Sequence, residues 1–217
     1  MTDARERLLL AAERLIAELG PGVPLRDIAA AAGQRNNSAV QYYFGSRDGL
    51  IDAILDYRMP ALEARRLELL ADHEVTGDPY DLRALVESLV VPMLELRARA
   101  GATHLCRFLE QARHHPAVAD RTRLASESRT SVRIVVNRLD RALAAIPAPV
   151  RYRRIRWMST SMLAYLADHE RAIEAGQSRT GDPDFLTELA DVLVGLLTAP
   201  SPARSPRPPS PAAAVRR

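Results

Sequence analysis

The sequence predicts an all-α protein: an amino-terminal three-helix domain carrying a helix-turn-helix, then a larger helical body, about nine helices in all. Three observations carry this expectation. Apolar residues recur with the 3.6-residue helical period in long runs, and no stretch alternates with period two. Leu and Ala dominate an apolar fraction of 47%, and only 5% of residues are aromatic, which favours helix packing over sheet. Breaks such as Gly20-Pro21-Gly22 and Pro147-Ala148-Pro149 cut the pattern into helix-length pieces.

The first helix runs to about Leu19, capped by Thr2 or Asp3, with Leu8, Ala12, Leu15, Ile16 and Leu19 on one face. Pro24 opens a short second helix carrying Ile28, Ala29 and Ala32, and Gly33 supplies its left-handed end. Asn36 caps a third helix that turns Val40 and Phe44 inward. Ser46 caps a fourth, with Leu50, Ile54, Tyr57, Leu62, Leu67 and Leu70 inward and an end near Asp72; Pro60 should kink or interrupt it. A fifth begins near Pro79 and bends at Pro92. A sixth spans about Ala102 to His114. A long seventh runs from Pro116 to about Ile146. The eighth covers about Val150 to Ala175, and the ninth Pro183 to Ala199. Residues 200–217 are Pro, Ser, Ala and Arg, a composition that builds no core and is expected to be disordered. The expected domains are 1–49, 50–199 and this tail.

The net charge is +3. Arg204, Arg207, Arg216 and Arg217 all lie in the acid-free tail, and subtracting these four charges from +3 leaves the rest at −1. Any affinity for DNA must therefore come from local placement rather than from an overall basic surface. There is no Lys, which excludes Schiff-base lysines and a Walker A phosphate loop. The single Cys106 fits a reducing compartment. The chain opens without a leader-like apolar segment and holds no run long enough to span a bilayer, so a cytoplasmic protein is expected.

The stretch from Leu25 to Leu50 is the most informative. A small-residue helix ends at Gly33, a polar turn follows, and a second short helix carries amides, hydroxyls and phenols. A buried helix would not bear Asn36, Asn37, Gln41, Tyr42 and Tyr43, and a plain solvent face would carry more charge. Asn and Gln can bond adenine edges in two places, Arg does so with guanine, and Ser and Tyr hydroxyls suit phosphates. This is the layout of a helix-turn-helix whose second helix enters the major groove.

Residues from about Ala4 to Leu55 resemble the DNA-binding domain of the TetR family of transcriptional regulators. The matching motif is Arg26-Asp27-Ile28-Ala29 with Ala32-Gly33, then Tyr43-Phe44 with Ser46-Arg47-Asp48-Gly49-Leu50. Three departures stand out. Pro24 replaces the usual Thr. The segment between Gly33 and Phe44 is one residue longer, which puts Gln41 where a phosphate-binding Tyr is usual and leaves Tyr42 as another source of the phenol. Arg47 replaces the customary Lys. The resemblance implies that Arg35, Asn36, Asn37, Ser38, Gln41, Tyr42 and Tyr43 face a palindromic double-stranded operator and that Arg47 clamps its backbone. It also implies a homodimer built on the last two helices, with Leu186, Leu189, Val192, Leu193 and Leu196 at the interface. A terminal helix apolar on more than one side asks for such a partner.

The resemblance further implies a small-molecule pocket among the middle helices. Candidate lining residues are Met93, Leu96, His104, Phe108, Trp157, Met158, Ser161, Met162 and Tyr165, a mix suited to a mostly apolar effector. Glu110 and His114 share a metal-compatible spacing, with His104 and His115 nearby, and Asp168-His169-Glu170 form a second cluster. Neither completes a ligand set, so no metal is expected. No cofactor is expected, and no nucleophile motif or glycine-rich cradle points to an enzyme. The favoured reading is a ligand-released homodimeric repressor. Its alternatives are a ligand-independent architectural DNA binder, which would lack a cavity, and a helical enzyme with an incidental helix-turn-helix, which would gather titratable groups in a pocket.

Overall fold

The structure is a computed structural model describing residues 3–36, 38–100, 104–119 and 130–200. Every element among them is helical: α1 (Ala4–Leu19), α2 (Leu25–Ala31), α3 (Ala39–Phe44), α4 (Arg47–Thr76), α5 (Leu82–Ala100), α6 (Leu105–Gln111), α7 (Pro116–Ala119), α8 (Thr130–Ala142), α9 (Ala148–Glu174) and α10 (Pro183–Thr198). The all-α expectation holds. The long helix expected from Pro116 to Ile146 is described only as α7 and α8; the stretch between them, like residues 201–217 of the tail, lies outside the described residues.

α1 buries Leu8, Leu9, Ala12 and Ile16, and packs on α2, α4 and α6. The face is rotated from expectation: Leu9 is inside, whereas Leu15 is half-buried and Leu19 is exposed. The reason is that α1 serves neighbours on two sides, so its buried arc is wider than one stripe. Gly33 and Gly45 end α2 and α3 at φ 69° and 71°, where a side chain would be strained.

α4 is an unbroken helix of 30 residues, about 45 Å long. It passes through Pro60 without interruption, so of the two outcomes expected there the break does not occur, and it ends beyond the expected Asp72. Pro60 and Asp56, whose carbonyl loses its usual donor, are both exposed, so water can take the vacant acceptor. Ser46 caps the helix as expected, its Oγ accepting from Gly49 N at 3.0 Å. Leu50, Ile54, Leu62 and Leu70 are buried, but Tyr57 and Leu67 are exposed.

The body is layered. α4 and α5 pack together with α8, α5 also meets α10, α10 lies on α9, and α9 carries α6. α9 and α10 run antiparallel. His169 stacks on Phe185 near one end (centroids 3.7 Å, interplanar 6°), and Arg154 donates to the Leu197 carbonyl at 2.9 Å near the other.

Candidate nucleic-acid interface

α3 is short and buries only Ala39 and Val40, with Phe44 half-buried. Its other side is open. Tyr42 is 82% exposed, and Arg35, Asn36, Ser38, Gln41 and Tyr43 are also exposed. Asn37 lies outside the described residues. Tyr42 and Tyr43 meet edge to face at 5.0 Å and 86°, which fixes the two phenols relative to one another. The Arg5 guanidinium sits 5.4 Å from the Phe44 ring centre, tying the start of α1 to the end of α3.

Two expected roles change in detail. Ser38, not Asn36, occupies the cap position of α3. The Asn36 carboxamide oxygen instead accepts from Ser38 N at 2.9 Å and from Ser38 Oγ at 2.6 Å, closing the turn before the helix. The physical reason is that the Asn36 carboxamide is taken up by Ser38, two residues on, and so does not reach an N–H of α3. Arg47, expected on the DNA backbone, uses its Nη1 to hold the carbonyls of Pro21 and Val23, each at 2.6 Å. It therefore fastens the α1–α2 connection to the start of α4.

The headpiece is joined to the body through buried charge. Glu13 and Arg58 are 2% and 6% exposed. Arg58 donates to Glu13 from Nε at 2.6 Å and from Nη2 at 3.1 Å, and His104 N donates to the same carboxylate at 2.9 Å. Tyr57 OH donates to Glu6 at 2.7 Å, and this bond, ahead of burial, raises the phenol above its ordinary pKa. Further along α4, Arg66 donates to the Ser88 carbonyl at 3.2 Å and to Ser131 Oγ at 3.0 Å. Glu63 accepts from Ser131 N and Oγ at 2.7 and 2.6 Å. Burial lowers the Arg66 guanidinium to about 10, since Glu63 is 3.9 Å away and compensates only in part. Sequence reasoning missed these groups. The signal was present: Arg58 and Arg66 fall on the stripe Ile54, Leu62, Leu70 at four-residue steps, and Glu13 lies between Leu9 and Ile16.

The expected effector pocket is not gathered in one place. Met93, Phe108, Met158 and Met162 are buried in the core, Leu96, His104 and Ser161 are half-buried, and Trp157 and Tyr165 are exposed on α9. The stripe Trp157, Ser161, Tyr165 is real, but it looks out of the molecule. A cavity of about 510 Å³ runs along α1, lined by Leu10, Glu13, Arg14, Tyr57, Arg58 and His104 among others; of the expected set it includes only His104. At the expected dimer face, Leu189 and Leu193 are buried within the chain, leaving Val192 exposed and Leu186 and Leu196 half-buried. α10 packs on both α9 and α5, which takes up Leu189 and Leu193 but not the rest of the stripe expected to face a partner.

The titratable clusters disperse into separate pairs. Glu110 accepts from Arg171 at 2.5 Å, His114 from Arg113 at 3.0 Å, and His115 meets Asp48 at 3.0 Å. Among the described residues no three His, Cys, Asp or Glu side chains converge, and no helix is long and apolar enough to cross a membrane.

A small-residue helix, a glycine turn and an exposed polar helix, set on a helical body, define a helix-turn-helix protein. The model of the family described as "Tetracyclin repressor-like, C-terminal domain" matches residues 87–199, just over half of the chain. The chain belongs to the TetR family of transcriptional regulators. Over 130 residues it is 31% identical to the HTH-type transcriptional dual regulator CecR of Shigella flexneri, a match spanning 54% of each protein. Its fold is similar to that of NalD of Pseudomonas aeruginosa, the secondary repressor of the MexAB-OprM multidrug efflux pump, with TM-score 0.50, 20% identity and coverage of 88% and 94%. It is also similar to LfrR of Mycobacterium smegmatis, solved in complex with proflavine, with TM-score 0.47, 24% identity and coverage of 90% and 95%.

Proposed function

We propose that this chain is a cytoplasmic, homodimeric repressor that binds a palindromic DNA operator and is released by a small, mostly apolar effector. The observation that carries the reading is the open side of α3. Gln41, Tyr42 and Tyr43 are all exposed, with none of the described helices laid over them. With Arg35, Asn36, Asn37 and Ser38 they supply base-edge and phosphate contacts, and Arg47 presents its remaining donors beside the backbone. The headpiece spans residues 1–49, the effector and dimerisation body 50–199, and the tail 200–217.

One α3 reads only a few base pairs. Two copies about a two-fold axis, roughly 34 Å apart, read both half-sites. The partner face is the outer side of the α9–α10 pair. The antiparallel register of that pair puts Val192 level with the stripe from Trp157 to Tyr165, and all three are exposed. Leu186 and Leu196 extend this face. An effector in the body acts through α4, which packs on α1 and α3 at one end and on α5 and α8 at the other. It releases DNA only by its different affinity for the two states, and about 1–3 kcal/mol of coupling weakens operator binding roughly 5- to 150-fold.

The test is selection of binding sites from random double-stranded DNA, followed by fluorescence anisotropy and sedimentation. The expected result is an inverted repeat bound by two protomers. Enrichment of no sequence by a folded protein overturns the reading.

A further inference from the structure

The short helix α6 is gripped at its amino end by two carboxylates from different parts of the molecule. Glu13 of α1 accepts from His104 N at 2.9 Å. Glu170 of α9 accepts from Cys106 N and Arg107 N, both at 3.1 Å. The N–H groups at a helix start need acceptors from outside the helix, and the two carboxylates supply them to three such groups here. Both carboxylates are 3% exposed or less. A second link joins the same helices. Glu174 of α9 lies 3.0 Å from His104 Nδ1 and accepts from Arg107 Nη2 at 2.5 Å.

The packing follows the hydrogen bonds. α6 lies chiefly between α1 and α9, whereas α4 reaches the body through α5 and α8. Two separate connections therefore run from body to headpiece, one along α4 and one from α9 through α6. They meet at Glu13, which takes Arg58 from the first and His104 N from the second.

We infer that Glu170 and Glu13 are positioning residues for operator recognition: through α6 they fix the headpiece relative to α9, the helix that pairs the protomers, and so set the half-site spacing the dimer accepts. The inference rests on the reading of the chain as a dimeric operator binder. Its physical basis is that turning α1 against α9 must stretch charge-assisted N–H···O⁻ bonds that water does not replace. Glu170 lies on α9 in the body, and its carboxylate accepts from the backbone of α6, not from that of the recognition helix. Its effect on DNA must be indirect, and must fall on the pairing of two headpieces rather than on either alone.

The experiment uses an inverted repeat selected from random DNA by the wild-type protein. Anisotropy titrations compare that operator, versions with the half-site spacing one base pair longer or shorter, and an isolated half-site. For Glu170→Gln, full-operator affinity should fall about 5- to 150-fold, the preference for the selected spacing should flatten, and half-site affinity should stay at the wild-type level. Sedimentation should still show a dimer. Glu13→Asp, which retains the charge, should recover more of the spacing preference than Glu13→Gln. If Glu170→Gln does not fold, the partly exposed Glu174→Gln takes its place with the same expectation. A folded dimeric variant with wild-type spacing preference, or with half-site and full-operator affinity falling together, overturns the inference. A wild type that selects no DNA sequence overturns instead the reading on which it rests.

Discussion

The Arg58 guanidinium lies in a two-bond clasp on the Glu13 carboxylate, Nε to Oε2 at 2.6 Å and Nη2 to Oε1 at 3.1 Å, with both side chains under a tenth exposed. A buried pair of this kind adds little over an apolar pair of the same volume, yet removing one member strands the other's charge. Arg58→Met alone should therefore destabilise the protein by about 3–5 kcal/mol. Glu13→Leu combined with Arg58→Met should recover part of that loss. Urea denaturation of the two single variants and the double variant measures the coupling; additive losses would contradict the clasp.

Tyr42 offers a cleaner separation of binding from folding. Because it is 82% exposed, Tyr42→Ala should change stability by no more than about 0.5 kcal/mol. Together with Asn37→Ala it should abolish specific operator binding, and alone it should weaken binding by about 1–3 kcal/mol. Anisotropy and thermal melting on the same samples check both halves. Unchanged operator affinity in the double variant would remove α3 from the interface.

On α10, neighbouring residues should behave oppositely. Leu193 is fully buried, so Leu193→Ala should cost about 2–5 kcal/mol of stability while leaving self-association intact. Val192 is exposed, so Val192→Glu should leave a folded protomer and shift it toward monomer, read by sedimentation. A Val192→Glu dimer as tight as wild type would move the interface off this face.

His104 gives the pH dependence a sign. Burial first, and then the nearby Arg107 guanidinium, lower its pKa from the ordinary 6.5, against the opposing pull of Glu174, Glu13 and Glu18. The folded state therefore holds its proton less tightly than the unfolded chain. The stability this contributes is complete above about pH 6.5 and is lost as pH falls through the lower folded value. His104→Gln should flatten that part of the stability curve. Urea midpoints measured from pH 7.5 to 5 test this, and equal slopes in variant and wild type would exclude His104 as a contributor.

The helices and the exposed polar side of α3 were legible in local stretches of sequence. Periodicity, the glycines at 20, 33 and 45, and the Ser46 cap are local signals, and local backbone energetics decide them. The exposed amides and phenols of α3 were legible for the same reason: a helix that short cannot bury so many polar groups. Which sides of the long helices are covered depends on packing between distant segments. α10 could have turned Leu189 and Leu193 to a partner, but α5 and α9 enclose them. Trp157 and Tyr165 have the composition of a pocket wall, yet both stand exposed on α9. Glu13 reads as an ordinary helix charge, Arg47 as a clamp on DNA and Glu170 as part of an incomplete metal-like cluster, whereas their actual partners lie 24 to 91 residues away in sequence. A carboxylate reports its burial only through what surrounds it, and those neighbours arrive when distant helices pack.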